Sequence, residues 1–267
     1  MAINGLYGNG PVLKLGSPFL TAVELYANSR QKTAIENSVR SLDHKLNIVR
    51  YNVGLVQEMG AEDFKKHRDQ LFSTTDLPRT VQYQQRCTFK VYDYDDYVLF
   101  LTFFLEALTA ASFSLFDVCG HLLKELYDLN LPRTETSSSG RRREIKISYV
   151  NVVRDLDTRS PSLSAFLRRY IPDEPNMVSW IKPLKRIRNA TTHQQITRIC
   201  RYVEDSSLHF HPDIQELRLN QNFFDPPQEV ALKIFAEECF NGLEDFVTEL
   251  YKRLREALET DETFPLY

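Results

Sequence analysis

One short run holds the most chemically capable residues of this chain: Arg188-Asn189-Ala190-Thr191-Thr192-His193. Histidine titrates near neutrality, so His193 can take or give a proton at ordinary pH. Arginine stays charged and offers a planar fork of donors that suits a phosphate. On an ideal helix Asn189 and His193, four apart, share a face, where the amide can fix the imidazole tautomer or touch a substrate. Arg188 and His193, five apart, diverge by about 140°. Bringing both to one anion therefore requires a helix that ends near Thr192, or a second copy of the run from another subunit.

The flanking residues add charge. Between Pro175 and Val203 stand Lys182, Lys185, Arg186, Arg188, Arg198 and Arg201 with no acidic residue, in a chain of net charge −3. Such a local concentration attracts anions, and Lys182, Lys185, Arg186 and Arg198 are the candidate substrate-binding cations. Glu106 and Asp117 are candidate supporting carboxylates that would hold a cationic side chain in place. Together with Thr102, Thr109 and His121 they also form one polar side of a helix, read most simply as a solvated stripe. No metal is expected, because the four cysteines at 87, 119, 200 and 239 form no close pair. His209 and His211 lack an evident third ligand, and no other cofactor is implied.

The run Leu184-Lys185-Arg186-Ile187-Arg188-Asn189-Ala190-Thr191-Thr192-His193 resembles the hallmark of the HEPN family: arginine, a polar residue, a short spacer, histidine. The resemblance implies a compact all-helical bundle, usually a homodimer whose two motifs face one another across a cleft. Many members are metal-independent endoribonucleases, often toxins or antiviral effectors. Carried over residue by residue, it assigns Arg188, Asn189 and His193 as catalytic. RNA would be cut by its own 2′-hydroxyl, leaving a 2′,3′-cyclic phosphate. Such a reaction needs a base, a cation for the extra charge on phosphorus and an acid for the leaving oxygen. RNA, a second copy of the chain and an antitoxin or regulatory protein are the implied partners. The alternative is a helical module that binds RNA or protein, or oligomerises, without catalysis.

The elements that must position these residues read as mainly helical, with a minor extended or hairpin excursion. Only nine glycines punctuate 267 residues, and four of them fall in the first sixteen. Residues 1–18 read as an irregular arm. Helical patterning then runs from about Phe19 to Met59, where Ile35, Val39, Leu42, Leu46, Val49, Val53 and Val56 recur in steps of four and three. That heptad seam serves either the chain's own bundle or a dimer. A short helix is expected over Asp63–Phe72 and an extended stretch over 73–92. Residues 19–92 thus form an N-terminal helical part, and 93–267 the HEPN-like core.

Within that core a largely apolar helix is expected from about Asp95 to Leu129. The polar segment 132–143 reads as a mobile loop, whose Arg141-Arg142-Arg143 could hold an RNA backbone. A helix over Glu174–His193 follows, with Pro183 interrupting it or marking its first turn. After an excursion over 205–226, a last helix runs from about Pro227 to Thr260.

The compartment follows from what the sequence lacks. It opens without a basic stretch and apolar core, so export by a secretory signal is not expected. Unpaired cysteines suit a reducing cytoplasm. Tyr97–Cys119 is apolar enough to test as a membrane span. Glu106 and Asp117 within it would each cost about 2.5–3.5 kcal/mol on insertion scales, which favours a buried core helix.

Overall fold

The computed structural model describes residues 12–26, 29–58, 79–83, 87–91, 94–136, 142–193, 200–201, 218–219, 221–228 and 230–260. The protein is all-α in character. Among the described residues the helices are α1 (Ser17–Tyr26), α2 (Ser29–Glu58), α3 (Tyr94–Leu126), α4 (Tyr149–Leu156), α5 (Pro161–Arg168), α6 (Ile181–His193) and α7 (Leu232–Thr260). Three small antiparallel sheets accompany them among the described residues: β1 (Arg79–Tyr83) with β2 (Cys87–Val91), β3 (Arg133–Thr136) with β4 (Arg142–Ile145), and β5 (Cys200–Arg201), β6 (Arg218–Leu219) and β7 (Val230–Ala231) with β6 in the middle.

The chain gathers into two compact units. One joins 1–10, 48–110 and 179–241; the other joins 11–47, 111–178 and 242–267. This differs from the sequential split at 92/93, because helices bury their faces against sequence-distant partners. The three long helices α2, α3 and α7 each contribute to both units.

On α2 the heptad seam is buried by the chain itself. Ile35, Val39, Leu42, Leu46, Val49 and Val56 have no exposure. The seam therefore serves the bundle, not a dimer. Helix α3 is long and apolar enough over Phe103–Leu126 to cross a membrane, and half of that window is buried. Leu105, Leu108, Leu115, Leu122 and Leu126 have no exposure, as in a core helix.

In the second unit an aromatic cluster fills the core. Tyr170 lies 4.5 Å from Phe246, Phe116 lies 5.1 Å from Tyr149, and Phe166 stacks on Phe246 at 5.9 Å. The Arg253 guanidinium covers the Phe166 ring at 4.8 Å. Close approach of α3 to α4 needs Gly120, since a Cβ there would meet the Tyr149 backbone at 3.2 Å. The Asn47 side chain clamps residue 13 as a strand would, accepting from the Leu13 N–H and donating to its carbonyl, both at 3.0 Å. Beside it the Asp43 carboxylate accepts from the Gly16 N–H at 3.2 Å. The end of the expected arm is thus docked, and helix begins at Ser17 instead of Phe19.

Two further expectations change. Segment 132–143 is no simple loop: β3 and β4 pair with Glu135 opposite Arg143 and Thr134 opposite Glu144. The β-branched Thr134 suits a strand. The last helix starts at Leu232, not Pro227, because Val230 and Ala231 pair with Leu219 and Arg218. The expected helix over Asp63–Phe72 lies outside the described residues.

Candidate functional site

Helix α6 carries the whole Arg188–His193 run. It begins at Ile181, and Pro183 falls in its first turn, where a missing N–H costs no helical bond. Trp180, Ile181, Leu184 and Ile187 are buried along one face, which anchors the helix in the first compact unit. Arg188 and Asn189 are exposed beyond that face, and Lys182, Lys185 and Arg186 are half-buried.

Because the run is helical through His193, positions 188 and 193 diverge by about 140° on one chain. Position 193 instead follows 182, 186 and 189 along one strip, each within about 40° of it. The helix also points its C-terminal end, where cationic side chains are favoured, toward His193. Of the His193 side chain nothing is described, and Arg198, His209 and His211 lie outside the described residues.

At the other end of the strip the cations have specific partners. Lys182 occupies the first turn, where the helix dipole disfavours positive charge, and its Nζ lies 2.9 Å from an Asp225 carboxylate oxygen. Arg186 donates to the carbonyls of Phe223 and Phe224 at 3.2 Å each, and to that of Asn222 at 3.5 Å. Those carbonyls end a single 3-10 turn, Gln221–Phe223. Its second amino nitrogen stands 3.8 Å from Asp225. The hydrogen bond from Lys182 and the nearby positive charges hold the Asp225 carboxyl below the usual carboxylate range. Phe224, edge-on to Phe235 at 5.9 Å, and Ser179, bonded to Glu238 at 2.8 Å, tie the same region to α7.

The candidate carboxylates fare differently. Glu106 is half-buried in the first unit, with its carbonyl accepting from the Thr109 hydroxyl at 2.9 Å. Asp117 and His121 are exposed, in the second unit. Thr109 has no exposure, so the expected solvated stripe is broken. Sequence reasoning missed Asp225 altogether. It stands 43 residues from Lys182, and no spacing rule connects them.

Neither Cys119 nor Cys239 offers a reactive thiol. Cys119 and Cys239 are buried and free, and burial pushes both thiols well above the ordinary range.

No curated protein and no solved structure matches this chain. The family model for HEPN_Cthe2314-like HEPN matches residues 34–254, from the first turns of α2 to the last turns of α7 and across the whole of α6. Since the match covers well over half of the sequence and agrees with an all-helical fold, the chain belongs to the HEPN family, whose roles as a group are nuclease-type, RNA-related or nucleotide-binding.

Proposed function

We propose that this protein is a metal-independent endoribonuclease that works as a homodimer in the cytoplasm, as a toxin or defence effector. One observation carries the reading: Arg188 and Asn189 stand exposed on a basic helix whose opposite face is locked into the core. His193 removes the proton from the 2′-hydroxyl or delivers one to the leaving 5′-oxygen. Arg188 binds the scissile phosphate, and Asn189 orients the imidazole or the substrate. Lys182, Lys185, Arg186 and Arg198 attract the RNA backbone.

The roughly 140° between positions 188 and 193 favours a site built from two subunits, Arg188 from one and His193 from the other. Replacing either residue by alanine should slow cleavage about 10²–10⁴-fold in EDTA, with the fold intact and 2′,3′-cyclic ends on the wild-type products. Mixed His193→Ala and Arg188→Ala subunits should regain activity, because one of the two shared sites is then complete. Equal cleavage by wild type and His193→Ala would overturn the assignment. The same angle supports a second reading, RNA binding without cleavage, for a protein that stays monomeric.

A further inference from the structure

The polar strip of α6 already holds one anion, and it belongs to the protein. Asp225 places its carboxylate on Lys182 at 2.9 Å and beside Arg186 at 3.8 Å, on the strip that leads to Asn189 and position 193. The three groups differ in how they are held. Arg186 is fixed by the carbonyls of Asn222, Phe223 and Phe224, so its position does not depend on Asp225. Lys182 is mostly covered, with 26% of its side chain exposed, whereas 59% of the Asp225 side chain is exposed. An exposed acid thus sits on one cation held by backbone carbonyls and on a second that is mostly covered. From this we propose that Lys182 and Arg186 form a subsite for a backbone phosphate of single-stranded RNA, and that Asp225 occupies it as an intramolecular stand-in which the phosphate displaces.

The proposal rests on the RNA-directed reading of α6, though not on cleavage. A phosphodiester carries one negative charge, as a carboxylate does, and both accept from a guanidinium fork and an ammonium group. Exchange of one for the other conserves the charge at the subsite. Binding there therefore releases no counterion in the wild type, and Asp225 subtracts from both affinity and salt dependence. Lys182 lies two helical turns before position 189, about 10 Å along the axis, which sets the subsite one to two nucleotides from the Asn189 end. Distance of that order lets one strand touch both ends of the strip.

Asp225→Asn keeps the shape of the side chain and removes its charge. Binding of a fluorescein-labelled oligouridylate by anisotropy at pH 7 reads the effect, with His193→Ala in the background to prevent cleavage. Asp225→Asn should tighten binding about threefold to fivefold at low salt, the worth of one exposed ion pair. The plot of log affinity against log salt should steepen by about 0.7, one phosphate on a single strand. Adding Lys182→Gln to Asp225→Asn should cancel both gains. If Asp225 is only a tether for the 3-10 turn, Asp225→Asn lowers the thermal midpoint and leaves affinity and slope unchanged, and the proposal falls. RNA binding that strengthens in Asp225→Asn while wild type cleaves nothing would keep the subsite and remove the nuclease reading. Cleavage by the wild type with no effect of Asp225→Asn on binding would do the reverse. No binding by either variant together with no cleavage by the wild type overturns both.

Discussion

Replacing Arg186 by lysine keeps the positive charge of α6 and removes the planar fork, so it separates the structural work of this residue from its electrostatics. The guanidinium donates to three carbonyls at the end of the 3-10 turn, two at 3.2 Å and one at 3.5 Å. The longest of these lies at the limit of hydrogen bonding and is discounted. Two charge-assisted bonds remain at a site about one-third exposed, and at about 1 kcal/mol each they stabilise the fold by about 2 kcal/mol. Both bonds leave one nitrogen, Nη1, and the lysine ammonium ends one bond nearer the backbone and falls short of that position, so about half of that, ~1 kcal/mol, should be lost in Arg186→Lys and nearly all of it in Arg186→Gln. For a chain of this size the thermal midpoint should fall by about 2–4 °C and 4–8 °C respectively. Differential scanning calorimetry of the three proteins at one concentration measures this. Salt dependence of RNA binding should stay the same in Arg186→Lys, since its charge is kept. An unchanged midpoint in Arg186→Gln would refute the argument, because it would mean that the turn does not need its carbonyls satisfied from α6.

Two further substitutions probe the packing of the second unit. Gly16→Ala would put a methyl 2.1 Å from Val39 Cγ1 and 3.2 Å from the Tyr251 ring, and valine on a helix has little rotamer freedom. A loss of about 1–3 kcal/mol in urea unfolding is expected, with most of it coupled to Val39 in a cycle with Val39→Ala; strict additivity would contradict it. Burial raises the Asp43 carboxyl above its ordinary value despite the bonds from Gly16 and Tyr251. Its favourable contribution is therefore complete below the ordinary carboxylate range and is lost as pH rises through the raised value. Asp43→Asn, whose amide oxygen can still accept from Gly16, should be at least as stable as wild type at pH 7, with that advantage shrinking toward pH 3.5. Urea midpoints that favour wild type more at pH 7 than at pH 3.5 would reverse the sign.

Much of this protein was legible before folding because helices repeat. The heptad from Ile35 to Val56 and the three- and four-residue steps from Leu232 to Leu254 fix buried faces by period alone, and both faces are buried. The Arg188–His193 run was legible for a different reason: its residue types and spacing are local, and the family match spans it. Local pattern left Pro183 either interrupting a helix from Glu174 or marking a first turn, and the helix begins at Ile181, with Pro183 in that turn, where proline sacrifices no helical hydrogen bond.

What the tertiary structure alone decided are the pairings over long separations. Asp225 meets Lys182 and Arg186, Asn47 clamps Leu13, and Val230 and Ala231 join a ribbon before the last helix can begin. None of these has a period, and each depends on which distant backbone comes within a hydrogen bond's reach. The hairpin of β3 and β4 belongs with them, because a polar, serine-rich composition says nothing about whether two short strands find a register. So the sequence by itself determined the family, the long helices and the Arg188–His193 run, all written in nearest-neighbour spacing. The fold decided that Lys182 and Arg186, which flank this motif, face an acid 43 residues beyond Lys182, since long-range contacts are set by chain geometry and not by local preference.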